Sequence, residues 1–87
     1  MSGERLDKWL FQARFYRTRA LAQAAASAGK VRLNGKRVDR PGHVIQPGDV
    51  LTLGRGAGIM AARVLALVER RGPASEARNL YEILDES

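Results

Sequence analysis

Leu6, Trp9, Leu10 and Ala13 recur at intervals of three and one. This spacing places them on one stripe and predicts a helix over residues 4–16. Glu4 and Asp7 near its start suit the positive end of the helix dipole. A second helix is predicted over residues 19–28, where alanine dominates. Thr18 fits its N-cap, and Gly29 falls where a left-handed residue ends a helix. Arg17 and Thr18 would join the two helices into a hairpin. On the second helix, Arg19, Gln23 and Ser27 share a face, and Leu21, Ala25 and Ala28 are expected to face the core from the opposite side.

Beyond Gly29 the period changes to two. Lys30-Val31-Arg32-Leu33 alternates cationic and apolar residues, Asn34-Gly35 is a strong hairpin signal, and Lys36-Arg37-Val38 begins a return strand. A two-residue turn there pairs Leu33 with Lys36, Arg32 with Arg37 and Val31 with Val38. Pro47-Gly48-Asp49 reads as a turn into the strand Val50-Leu51-Thr52-Leu53, followed by a loop over residues 54–58. Residues 60–68 suit a further strand, although residues 61–67 are also compatible with a helix. Gly72-Pro73 opens a last helix, with Ala77, Leu80, Tyr81 and Leu84 on one face. The expected fold class is α+β: an N-terminal helical hairpin packed on a small antiparallel sheet and closed by a C-terminal helix.

A chain of 87 residues has room for one domain, which can bury roughly 60% of its unfolded surface. Residues 1–87 are therefore taken as a single domain, and no apolar run reaches the ~18 residues a membrane helix needs. Without cysteine there are no disulfides, thiolate metal sites or cysteine nucleophiles. The first residues lack a basic-then-apolar leader, so a cytoplasmic location is expected.

Charge changes the picture more. Residues 1–40 carry ten basic side chains against Glu4, Asp7 and Asp39, whereas residues 41–87 carry five against six acidic ones. Such segregation points to a face that meets a polyanion. Arg5, Lys8 and Gln12 share a flank of the first helix, with Arg14 and Arg17 near its end. On the first strand, Lys30, Arg32 and Asn34 point to one side. Arg32 opposite Arg37 is a repulsive pair that a bound phosphate would relieve, and arginine's planar fork can hold two phosphate oxygens.

Other residues offer less chemistry. His43 stands without a second histidine or any cysteine, so no metal site is expected. Gly54-Arg55-Gly56-Ala57-Gly58 lacks the Lys-Ser or Lys-Thr of a phosphate loop. No serine, histidine and carboxylate set or paired carboxylates stand out, so neither catalysis nor a cofactor is expected. Asp7 either serves the helix start and a neighbouring arginine or orders Arg5 and Lys8 for a ligand. Trp9 is expected in the core. Phe11 and Phe15 either pack against Leu80, Tyr81 and Leu84 or form an exposed platform, with packing favoured.

The run Arg5-Leu6-Asp7-Lys8-Trp9-Leu10, Arg14, Thr18-Arg19-Ala20-Leu21-Ala22, the stretch from Gly29 to Val38 and Pro47-Gly48-Asp49-Val50-Leu51 together resemble a known family. It is the RNA-binding domain named after small-subunit ribosomal protein four, and the resemblance covers residues 5–53. Within it, Trp9 and Glu69-Arg70-Arg71-Gly72-Pro73 are most similar to the ribosome-associated fifteen-kilodalton heat-shock proteins of bacteria. The resemblance implies a module that grips structured RNA, with Arg5, Lys8, Arg14, Thr18, Arg19, Gln23, Lys30, Arg32, Asn34 and Lys36 facing it. Arg17 and Arg37 join this set on charge and position.

It further implies ribosomal RNA and the free large ribosomal subunit as partners, including one holding a nascent chain on transfer RNA, in recycling or rescue under stress. A monomer is expected. Related proteins often continue into a long basic tail where this chain stops at Asp85-Glu86-Ser87, so tail contacts are expected to be missing or supplied differently. A protein-interaction adapter, using Phe11 and Phe15 or the acidic C-terminal helix, and a ribosome-assembly factor are the alternatives.

Overall fold

The computed structural model describes residues 3–55 and 58–86. In chain order the elements are β1 (Glu4–Arg5), α1 (Leu6–Gln12), α2 (Arg19–Ser27), β2 (Val31–Leu33), β3 (Lys36–Val38), β4 (Val44–Ile45), β5 (Val50–Arg55), β6 (Gly58–Val64), α3 (Ala74–Ala77) and β7 (Tyr81–Glu86). A 3₁₀ turn, Arg78–Leu80, joins α3 to β7. β1 pairs with β4, and the other strands form one antiparallel sheet in the order β3-β2-β5-β6-β7. The α+β class holds, and the sheet is larger than expected.

Both longer helices end in the same way. In α2 the Gly29 and Lys30 N–H groups donate to the carbonyls of Ala26 and Ala25, and Gly29 is left-handed at φ 73°. These are the paired bonds of a Schellman cap. In α1 the Arg14 and Phe15 N–H groups donate to Phe11 and Leu10, with Arg14 at φ 66°. A non-glycine residue there hid the stop, which is why α1 ends at Gln12 rather than near Tyr16. At its other end, β1 replaces the expected helix start. The Leu6 and Asp7 N–H groups donate to His43 and Pro41 carbonyls at 2.8 and 3.0 Å, satisfying donors that a helix start leaves without partners.

The expected stripe of Leu6, Trp9, Leu10 and Ala13 is buried and meets Ala22 and Ala26 of α2, with Val31, Leu51, Leu53, Met60 and Val64 of the sheet. Trp9 is fully enclosed and donates from Nε1 to the Ala66 carbonyl at 2.9 Å. Leu21 departs from expectation: α2 buries Ala22, Ala25 and Ala26, leaving Leu21 51% exposed. Ala28 is exposed as well. Small side chains let α2 seat closely, and its rotation turns Arg19 and Gln23 across toward α1.

The hairpin register at Asn34-Gly35 is as expected, with Leu33 opposite Lys36, Arg32 opposite Arg37 and Val31 opposite Val38. Asn34 and Gly35 both have positive φ, 51° and 85°, the signature of the tight turn that matches strand twist. Two expectations fail. Much of the stretch expected to loop over residues 54–58 belongs to the β5–β6 ladder, through the pairs Gly54 with Ile59 and Arg55 with Gly58; Gly56 and Ala57 lie outside the described residues. The C-terminal helix is a single turn, because Tyr81–Glu86 adds a strand to β6. Ala77 and Leu80 are buried as expected, but an open sheet edge captures the aromatic and β-branched residues that follow.

Candidate nucleic-acid interface

Asp7 is fully buried, although it lies in the first turn of α1. Its Oδ1 accepts from Arg5 Nε at 3.1 Å and from the Lys8 N–H at 2.8 Å. Its Oδ2 accepts from Arg5 Nη2 at 3.2 Å and Gln23 Nε2 at 3.1 Å, and Arg19 Nε lies 3.7 Å away. Three of the expected ligand-facing side chains, one from β1 and two from α2, therefore converge on one carboxylate of α1.

Local geometry explains the convergence. Arg5 precedes α1 with extended backbone, φ −63° and ψ 138°, so its side chain folds over the helix start instead of running along a helical face. The guanidinium then lies against Gly42, where an added Cβ would sit 3.3 Å from Arg5 Cζ. Burial pushes the Asp7 carboxyl up, but hydrogen bonds from Arg5, Gln23 and the Lys8 N–H, with the Arg5 charge, outweigh it and hold the group below its ordinary value. Asp7 thus remains ionised while the guanidinium groups stay outside, with Arg5 and Arg19 side chains 51% and 43% exposed.

The remaining candidate side chains have other neighbours. Lys8 pairs with Glu4 at 3.4 Å. Thr18 caps α2, its Oγ1 accepting from the Leu21 N–H at 3.1 Å, and Arg17 is exposed. Lys30 and Arg32 border a shallow cleft of about 190 Å³ with Thr52 and Ile59. Lys36 and Arg37 line a groove together with Arg40 and His43.

Two candidates are turned to internal work. Asn34 donates from Nδ2 to Asp49 at 3.1 Å and accepts at Oδ1 from the Val50 N–H at 2.9 Å, joining the hairpin to β5. Arg14 donates from Nε to the Gly72 carbonyl at 3.0 Å. Arg37 also makes a contact within the fold. Its guanidinium lies against Gly29, where an added Cβ would collide with it. It therefore sits at the carbonyl end of α2, where the helix dipole favours a cation, and this eases its repulsion with Arg32 without any ligand.

Several features of the candidate site were not legible beforehand. A bond from Gln23 to Asp7 across sixteen residues has no periodic signal, and Arg40 and His43 come beside Lys36 and Arg37 only through the fold of their loop. Arg71 meets Phe11: its Nε donates to the Phe11 carbonyl at 3.1 Å and its guanidinium covers the Phe11 ring at 4.6 Å. Phe15 packs between Trp9 and Tyr81, at centroid distances of 5.8 and 4.7 Å, as favoured, but Tyr81 presents itself from a strand.

These features define a small α+β module with cationic side chains preorganised at the junction of two helices. The chain belongs to the S4-domain family, which its residues 4–51 match. It is 48% identical over 83 residues to heat shock protein 15 of Escherichia coli K12, covering 95% of this chain and 62% of that protein; the chain thus spans less than two thirds of that relative's length. It is 35% identical over 82 residues to the RQC P-site tRNA stabilizing factor of Bacillus subtilis, covering 94% of this chain and 93% of that one. A trimeric structure of Vibrio cholerae heat shock protein 15 superposes with a TM-score of 0.89 at 37% identity, over 95% of this chain and 83% of that one. Among the described residues no helix is long and apolar enough to cross a membrane, and no cluster of potential metal ligands occurs.

Proposed function

We propose that this protein binds structured ribosomal RNA without catalysing a reaction, on the free large ribosomal subunit that holds a nascent chain on transfer RNA, and serves its rescue under stress. The observation that carries this is the gathering of Arg5, Arg19 and Gln23 on buried Asp7. A guanidinium held in place before binding loses less freedom when it meets a phosphate. The names of the relatives, a heat-shock protein and a factor that stabilizes P-site transfer RNA, support the ribosomal setting.

Phosphate contacts fall to Arg5, Lys8, Arg17, Arg19, Lys30, Arg32, Lys36 and Arg37, with Gln23 and Thr18 adding polar contacts. Recognition is mainly by the shape and backbone of the folded RNA. Asn34 and Arg14 act on the protein side, placing β5 and residue 72.

The test is binding to large subunits, with and without peptidyl-transfer RNA, across a salt series. With about five to eight phosphates neutralised, log affinity falls with log salt at about −0.7 to −0.9 per phosphate. Replacing Arg19 and Arg32 together with alanine should reduce that slope by about 1.4–1.8 and weaken binding while melting stays near wild type. A flat salt response, or equal binding of empty and loaded subunits, refutes the assignment.

A further inference from the structure

β3 is a free edge of the five-stranded sheet, and beside it the chain passes through residues 39–43 before β4. Between them opens a groove of about 490 Å³, a size typical of small-ligand sites. Leu33 and Val38 provide an apolar floor, Lys36 and Arg40 provide cations, and His43 provides a flat ring. Asp39 is the carboxylate on the lining.

The groove is built into the fold. The turn Arg40-Pro41-Gly42-His43 is closed by the His43 N–H donating to the Arg40 carbonyl at 3.1 Å, which fixes Arg40 and His43 at its two ends. The Pro41 and His43 carbonyls receive the first N–H groups of α1, and the Arg5 guanidinium lies on Gly42. The cationic surface organised by Asp7 therefore continues into this turn. A surface for phosphate alone needs no apolar floor. A partner peptide would have to be acidic, and the groove's continuity with the Asp7 cluster favours a polyanion that covers both.

We propose that this groove receives one unstacked nucleotide of the bound RNA, its base over Leu33 and Val38 against the His43 ring and its phosphate between Lys36 and Arg40. Histidine rings and guanidinium planes both serve as stacking partners for splayed bases. The proposal deepens the RNA-binding function given above and rests on it.

The experiment compares two RNA hairpins of one sequence, one fully paired and one carrying a single bulged 2-aminopurine, by anisotropy and by the emission of the bulged base. Wild type should prefer the bulged RNA and change its emission. The double variant Arg40→Ala and His43→Ala should lose about tenfold on the bulged RNA and less than twofold on the paired one, with the emission no longer changing. His43→Phe, which keeps a flat ring, should retain the preference. Arg5→Ala with Arg19→Ala should weaken both RNAs alike. If the groove variant weakens both equally, the groove is an ordinary phosphate contact and the proposal is overturned. If it changes neither, the groove serves another partner and the proposal is equally overturned. Failure of wild type to bind either RNA would instead refute the RNA-binding function.

Discussion

Replacing Asp7 with asparagine separates two accounts of how this surface attracts RNA. The variant keeps the side-chain size but turns an acceptor-only group into one that presents an amide NH₂ to a ring of donors. In the folded protein the carboxylate receives Gln23 Nε2 and the Lys8 N–H. Weakening two such bonds at about 0.5–1.5 kcal/mol each amounts to about 2 kcal/mol. The half-exposed arginines add less, because water screens them. At roughly 4–8 °C per kcal/mol for a domain of this size, the melting midpoint should fall by about 8–16 °C.

Binding is the sharper readout. Arg19 and Gln23, released from Asp7, must be ordered when RNA arrives, at about 0.5–1.5 kcal/mol per side chain, or about 2 kcal/mol together. Removing the carboxylate charge favours RNA by about 0.8 kcal/mol for a phosphate roughly 8 Å away at an effective dielectric constant of about 20 and physiological salt. Preorganisation wins by about 1.2 kcal/mol, which is roughly sevenfold weaker binding at 25 °C despite the gain of one positive charge. Anisotropy with a labelled ribosomal RNA fragment, below both melting transitions, measures it. Tighter binding together with an unchanged melting midpoint would show that net charge governs the surface and that Asp7 orders nothing.

The lowered carboxyl pKa of Asp7 means that its contribution to stability is present above its unfolded value, near 3.8. That contribution is lost as pH falls from there through the folded value; urea midpoints measured from pH 6 to pH 2 should therefore drop more steeply in wild type than in Asp7→Asn. Gly29→Ala places a side chain at φ 73° and against Arg37, so thermal denaturation should show a loss of about 1–2 kcal/mol, of which Arg37→Ala recovers only the part due to the collision. Asn34→Ala removes the bonds to Asp49 and Val50 and should lower stability by about 2 kcal/mol, while RNA affinity of the folded protein stays within twofold. A tenfold affinity loss at unchanged stability would return Asn34 to the RNA face.

Local rules carried the first half of the chain well. The stripe of α1, the Thr18 cap, the Gly29 stop and the Asn34-Gly35 register all depend on residues close in sequence, and all are present. The errors fall where distant segments compete. Arg14 accepts a left-handed backbone and ends α1 early, its side chain meeting Gly72. Tyr81–Glu86 joins β6 because a paired ladder outweighs the helical spacing of Ala77, Leu80, Tyr81 and Leu84.

The order of residues by itself determined that the cations would segregate toward the N-terminal half, and which apolar positions along α1 and β2 would face inward, because those properties follow from composition and period. Only the tertiary structure decided which cations act together. Arg5 could lie over a helix start, and Gln23 could reach α1, only once a carboxylate had been buried at the helix junction. Burial makes every hydrogen bond to that carboxylate necessary, and it is this requirement that aligns side chains sixteen residues apart.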